Sequence, residues 1–135
     1  MQDFRKLEVW QLARSHATAV YRQTSAFLRE ETFGLRAQMR RAALSICANI
    51  AEGCGRLGDG EFRRFLSVAM GSASELECET VLALDLGFIG RDEHDQLIAS
   101  VTRIKRLLAG LLKTVRRSDS RQPIAADRHS IADSR

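Results

Sequence analysis

Proline is almost absent. The single one, Pro123, leaves residues 1–122 without the residue that must interrupt a helix. Aromatic residues make up only 6% of the chain, and Ala and Leu dominate the apolar set, which favours helix over sheet. Cysteine is scarce as well. Cys47, Cys54 and Cys78 are odd in number and fit no Cys-x-x-Cys spacing, so a disulfide framework and a zinc site are both excluded. They read as small reduced residues of a cytoplasmic helical core. No apolar run approaches the roughly 18 residues of a membrane span. Met1-Gln2-Asp3-Phe4-Arg5-Lys6 lacks the apolar centre of a signal peptide. Nor is there a large excess of one charge: 21 Lys and Arg against 17 Asp and Glu leave +4. That balance suits a domain able to hold phosphate and falls well short of a dedicated nucleic-acid arm.

What remains is 135 residues, the size of one domain, with 44% apolar content for a single core. Four stripes recur at steps of three and four, the period of a helix face. The first is Leu7, Trp10, Ala13, Ala17, Val20, Tyr21, Thr24 and Leu28. Thr32 then stands as an N-cap for the second, which is Leu35, Met39, Ala42, Ile46 and Ile50. Gly53 is placed to end that helix in the left-handed conformation. Four of the nine glycines lie in Gly53–Gly60, the main loop, and Asp59 is the candidate N-cap after it. Phe62, Phe65, Leu66, Ala69, Ala73, Leu76, Thr80 and Leu84 form the third stripe. After the Gly87–Gly90 turn, the fourth starts near Asp92 and carries Leu97, Val101, Ile104, Leu108, Leu111 and Val115. Beyond Arg117 the pattern dissolves, so residues 118–135 read as a disordered tail and 1–117 as the folded domain. The economical arrangement is an all-α, antiparallel up-down-up-down four-helix bundle.

Motifs for catalysis fail on inspection. Gly53-Cys54-Gly55-Arg56-Leu57-Gly58 fits GxGxxG, yet a helix and not a strand enters it, and Asp59 stands where a phosphate-binding loop needs lysine. His16, His94 and His129 are each without the Glu three residues earlier that a bundle metal site uses. No catalytic residue, metal or cofactor is assigned. An enzyme built on the Asn49–Glu52–Arg56 loop would lack a nameable reaction.

Two polar stripes and one basic stripe are more informative. Gln38, Arg41, Ser45, Asn49 and Glu52 follow one another on the second helix, and Ser72, Glu75 and Glu79 on the third. They read as an internal or intersubunit network in which Arg41 partners Glu75 or Glu79, or as a recognition cluster of Asn49, Glu52 and Arg56 at the loop mouth. On the fourth helix Arg103, Arg106, Lys113 and Arg117 share a face, with no acidic residue between Thr102 and Arg117. Such charge complements a helix C-terminus, and it also suits a phosphate backbone. The second helix is apolar or small on two faces, Leu35-Met39-Ala42-Ile46 and Ala43-Cys47-Ala51, which predicts a homo-oligomer.

Several segments together resemble the four-helix-bundle family associated with intervening sequences in 23S rRNA genes, the S23 ribosomal protein-like family. They are Phe4–Leu7 with Val9-Trp10, Phe33-Gly34-Leu35 with Gln38–Ala42, and Ser45-Ile46 followed by Asn49-Ile50-Ala51-Glu52-Gly53 and Gly55-Arg56. Phe62 with Phe65-Leu66, then Ala69–Ser72 and Glu75-Leu76, complete the set. The resemblance covers about residues 3–116 of the sequence. It implies a homopentamer around a central channel, and a likeness to the accessory protein of diversity-generating retroelements, which binds nucleic acid and a reverse transcriptase. The combined expectation is a cytoplasmic, non-enzymatic oligomer that binds RNA or a ribonucleoprotein through arginine-rich surfaces. A structural or adaptor oligomer with protein partners only is the alternative.

Overall fold

The structure is a computed structural model that describes residues 2–27 and 34–120, and for 116–120 the backbone alone. Asp3 opens it: its carboxylate accepts from the Arg5 amide at 3.1 Å and starts a single 3-10 turn, Phe4–Lys6. Four helices follow, α1 (Glu8–Thr24), α2 (Leu35–Gly55), α3 (Asp59–Asp85) and α4 (Arg91–Ser120), with no strand among the described residues. Each helix packs on its neighbour in the chain, and α4 returns against α1, so the four enclose one core. Met39, Ile46, Ile50, Leu66, Leu76, Ile104 and Leu108 are fully buried at its centre, as their stripe positions predict. Leu28, Thr32, Phe33 and the tail from Arg121 onward lie outside the described residues. The α4 backbone runs three residues beyond the boundary expected at Arg117.

Two buried threonines show how polar groups enter this core without loss. Thr24 Oγ1 donates to the Val20 carbonyl and Thr80 Oγ1 to that of Leu76, both at 2.8 Å, so neither hydroxyl is stranded. Thr24 also receives Arg40 Nε at 2.9 Å, while Arg40 Nη2 donates to the Tyr21 carbonyl at 3.1 Å. A cation on the last carbonyls of α1 complements the negative end of that helix and ties α2 to it.

The α2–α3 corner departs from the sequence expectation. Gly53 is helical and takes no left-handed conformation; Gly58 does, with φ 91°, and precedes α3 as its N-cap. Asp59 is therefore the first residue of α3, and no side chain caps that helix. Gly53 is needed for contact instead. A Cβ there would lie 3.0 Å from Phe65 Cβ and 3.1 Å from Phe62 Cδ1. Gly53→Val is expected to cost about 1–3 kcal/mol by overpacking. Gly55→Ala, in open space two residues on, should leave stability unchanged or slightly raised. Denaturant midpoints of the two variants check this; equal losses would mean that the phenylalanines do not crowd Gly53.

Candidate nucleic-acid interface

Helix α4 exposes Arg103, Arg106 and Lys113 along its outer ridge, with Ala109 and Gly110 between them. The ridge is flanked by two shallow grooves, so the cations do not line a common one. Arg103 borders the α1 side, where Glu8, Gln11, Leu12 and Ser15 complete a groove of about 240 Å³. Arg106 borders the α3 side with Met70, Glu77, Thr102, Lys105 and Ala109, around about 320 Å³. The side chain of Arg117 lies outside the described residues.

Ion pairing sorts these charges. Arg103 Nη2 donates to Glu8 Oε2 at 2.6 Å, and Lys105 Nζ to Glu77 Oε1 at 2.9 Å. Arg106 and Lys113 form no ion pair with a described residue. The Arg103–Glu8 pair is about three-fifths exposed on both sides. Exposed pairs of this kind are worth at most about 1 kcal/mol, so phosphate can displace Glu8 at little cost.

At the loop mouth, Arg56 Nε donates to Glu52 Oε2 at 3.0 Å, and its guanidinium lies 5.2 Å from the Phe65 ring centre. Arg64 covers the same ring at 4.4 Å. Asn49 turns away from this pair. Its Nδ2 donates to the Ser45 carbonyl at 2.8 Å and to Ser45 Oγ at 3.0 Å. The Ser45 and Ser72 hydroxyls share a hydrogen bond of 2.7 Å that joins α2 to α3.

The acidic members of the α2–α3 stripe stand apart from that bond. Glu79 is only 8% exposed, and its Oε1 has no hydrogen-bond partner. Burial, and the charge of Glu75 after it, push its carboxyl up to about 7; Arg41 acts weakly in the opposite direction. Arg41 and Glu75 are exposed, and neither is hydrogen-bonded to Glu79. The direct Arg41–glutamate contact expected from the spacing is therefore a longer-range attraction. Arg41→Ala should change stability by less than about 1 kcal/mol, because no dry partner is stranded. A loss of several kcal/mol in a melting comparison would show a contact tighter than this geometry.

Among the described residues no group of three His, Cys, Asp or Glu side chains is placed to hold a metal ion, and no helix is long and apolar enough to cross a membrane. Cys47, Cys54 and Cys78 are free thiols.

The family model described as 23S rRNA-intervening sequence protein matches residues 5–110, which takes in α1, α2, α3 and most of α4. The chain belongs to the 23S rRNA-intervening sequence protein family. Its four-helix fold is also that of a protein of unknown function from the S23 ribosomal protein family of Bacteroides thetaiotaomicron. The crystal structure of that protein superposes with a TM-score of 0.71 at 24% identity, covering 78% of this chain and 98% of the other. No curated protein matches the chain.

In this member of the family, Phe4 and Trp10 pack edge to face, with ring centres 4.8 Å apart. Arg14 lies 5.1 Å from the Trp10 ring, and Arg40 lies 4.5 Å from that of Tyr21. These stacks were missed in the sequence, although Trp10–Arg14 was legible as a pair four residues apart on one helix face. The burial of His16 was missed too, as was the absence of a hydrogen-bond partner for Glu79 Oε1, which the spacing had placed in an internal or intersubunit network.

Proposed function

We propose that this family member is a non-enzymatic, cytoplasmic, oligomeric bundle of up-down-up-down topology that binds RNA through the outer ridge of α4. The observation that carries the reading is the pair Arg106 and Lys113, exposed on an acid-free helix surface and unengaged by any described carboxylate. Arg103 joins them once Glu8 is displaced. Arg117, on the same face by sequence, and Arg56 at the loop mouth extend the basic surface. Each chain offers few phosphate contacts. A homopentamer, the assembly implied by the family resemblance, would repeat the ridge and let weak contacts act together. The name of the family, which ties it to 23S rRNA, supports RNA as the ligand. A ribonucleoprotein, such as a reverse transcriptase holding its RNA, would present the same phosphates to the same ridge.

The adaptor reading has its own support, because Arg56, Arg103 and Lys105 already hold carboxylates. Salt separates the two. RNA affinity measured by anisotropy should fall steeply between about 50 and 200 mM salt, with little sequence preference, because phosphate contacts release counterions. An absence of binding at the lower salt would favour an adaptor with protein partners only.

A further inference from the structure

From Val9 to Phe27 and from Gly34 to Ala51, the chain carries Arg14, Arg22, Arg36, Arg40 and Arg41 and no Asp or Glu. The carboxylates bordering these stretches are already matched. Asp3 meets Arg5 and Glu52 meets Arg56, both at 3.0 Å, and Glu8 meets Arg103 at 2.6 Å. Arg41 turns to the α3 side, where it attracts Glu79. Arg14, Arg22 and Arg40 form no ion pair with a described residue.

The same face carries the chain's single tryptophan and single tyrosine. Residues 10 and 21 are close to three turns apart, so Trp10 and Tyr21 share one line of α1, about 16 Å from end to end. Arg14 stands between them and lies 5.1 Å from the Trp10 ring; Arg40 reaches over from α2 to 4.5 Å from that of Tyr21. Tyr21 is 37% exposed, and Arg14 and Arg22 are exposed beside it. A guanidinium above a ring continues the stack, and its outer side accepts a base. Alternating rings and cations suit a single strand, whose bases stack while its phosphates pair. A duplex keeps its base faces hidden and has little use for them.

The α4 ridge lacks this character, since no Phe, Tyr or Trp occurs from Arg91 to Val115. The two surfaces adjoin, because Arg103 shares a groove with Gln11 and Ser15 of α1. An anionic membrane is a poorer occupant. Leu44 is the only large aliphatic side chain exposed among the described residues of α1 and α2, and membrane docking needs a broad apolar face.

We propose that the α1–α2 face binds the bases of single-stranded RNA, with Trp10 and Tyr21, each beneath its arginine, as the stacking platform and Arg22 as a phosphate contact. This rests on the RNA-binding reading above and adds a preference for single strands over duplex. Preference among bases should stay small, because every base has a face to stack.

Trp10 reports on its own surroundings, being the only tryptophan. An unstructured single-stranded RNA and a duplex RNA of equal length are titrated at about 50 mM salt. Tryptophan emission and the anisotropy of labelled RNA are both followed, with helicity checked by circular dichroism. The proteins are wild type, Tyr21→Ala, Arg14→Gln/Arg22→Gln and Arg106→Ser/Lys113→Ser. The single strand should quench wild-type emission, and bound duplex should leave it unchanged. Tyr21→Ala and Arg14→Gln/Arg22→Gln should each lose on the order of tenfold in single-strand affinity and much less for duplex. Emission unmoved by a bound single strand, or wild-type affinity in both α1 variants, overturns this face and leaves the α4 ridge standing. Wild-type affinity in Arg106→Ser/Lys113→Ser, with quenching intact, overturns the ridge and supports this face. A wild type that binds neither RNA overturns both.

Discussion

At about pH 8, Glu79→Gln is expected to stabilise the fold by roughly 2–3 kcal/mol, or about 10 °C in melting temperature. Glu79 is a carboxyl raised from 4.5 to about 7 in the folded state, so folding favours its protonated form. Below pH 4.5 it is protonated in both states and contributes nothing to the pH dependence. As pH rises through the interval up to about 7 the folded state must accept a buried charge beside Glu75, and stability is lost. Each tenfold gain in proton affinity on folding corresponds to about 1.4 kcal/mol. Glutamine keeps the shape and removes the charge, so the gain should appear only above the lower end of that window.

His16 acts in the reverse direction. It is 2% exposed, neither ring nitrogen has a partner, and burial lowers its pKa from 6.5 to about 4. Its neutral form is the folded form. Stability is complete above 6.5 and lost as pH falls toward 4. Between 4.5 and 6.5 the two groups offset each other in wild type. Glu79→Gln should expose the acid-side loss, and His16→Leu the loss on the alkaline side. Urea midpoints of the three proteins across this range decide the matter. A Glu79→Gln variant whose midpoint runs parallel to that of wild type at every pH would show that Glu79 is solvated in the native state.

The helices and most of the core were legible because apolar spacing alone sets them. Met39, Ala42, Ile46 and Ile50 fall on one face of α2 whatever surrounds it. His16 and Glu79 occupy equally periodic positions, with Ala13 and Val20 around one and Leu76 and Ala83 around the other. The sequence assigned His16 no place in the core and read Glu79 into a network with Arg41; tertiary packing buries both and leaves Glu79 without that partner. Gly53 misled for a related reason. A glycine at a helix end serves a left-handed turn or a close contact, and the crowding by Phe62 and Phe65 becomes visible only when α3 is in place. The basic face of α4 was legible as a face. Its division into paired Arg103 and unpaired Arg106 and Lys113 was not, because Glu8 is 95 residues away in sequence from Arg103.

The basic ridge should govern RNA affinity, and its removal should have the second large effect. Replacing Arg103, Arg106, Lys113 and Arg117 with Ser leaves the core stripe Leu97-Val101-Ile104-Leu108 untouched, so helicity and assembly should persist. If each cation contacts one phosphate, four contacts per engaged chain vanish. On single-stranded RNA, the slope of log affinity against log salt should flatten by up to about 3 units. Arg106→Ser with Lys113→Ser should account for more of the loss than Arg103→Ser, because Arg103 must first leave Glu8.

The most direct test is an anisotropy titration of unstructured single-stranded RNA with wild type and the quadruple variant, at about 50 and 200 mM salt. Wild type is predicted to bind at the lower salt and to weaken steeply at the higher one. The quadruple variant, equal in helix content and oligomer mass, is predicted to lose most binding at both. Equal affinity of the two proteins would contradict the assignment of the α4 ridge as the RNA-binding surface.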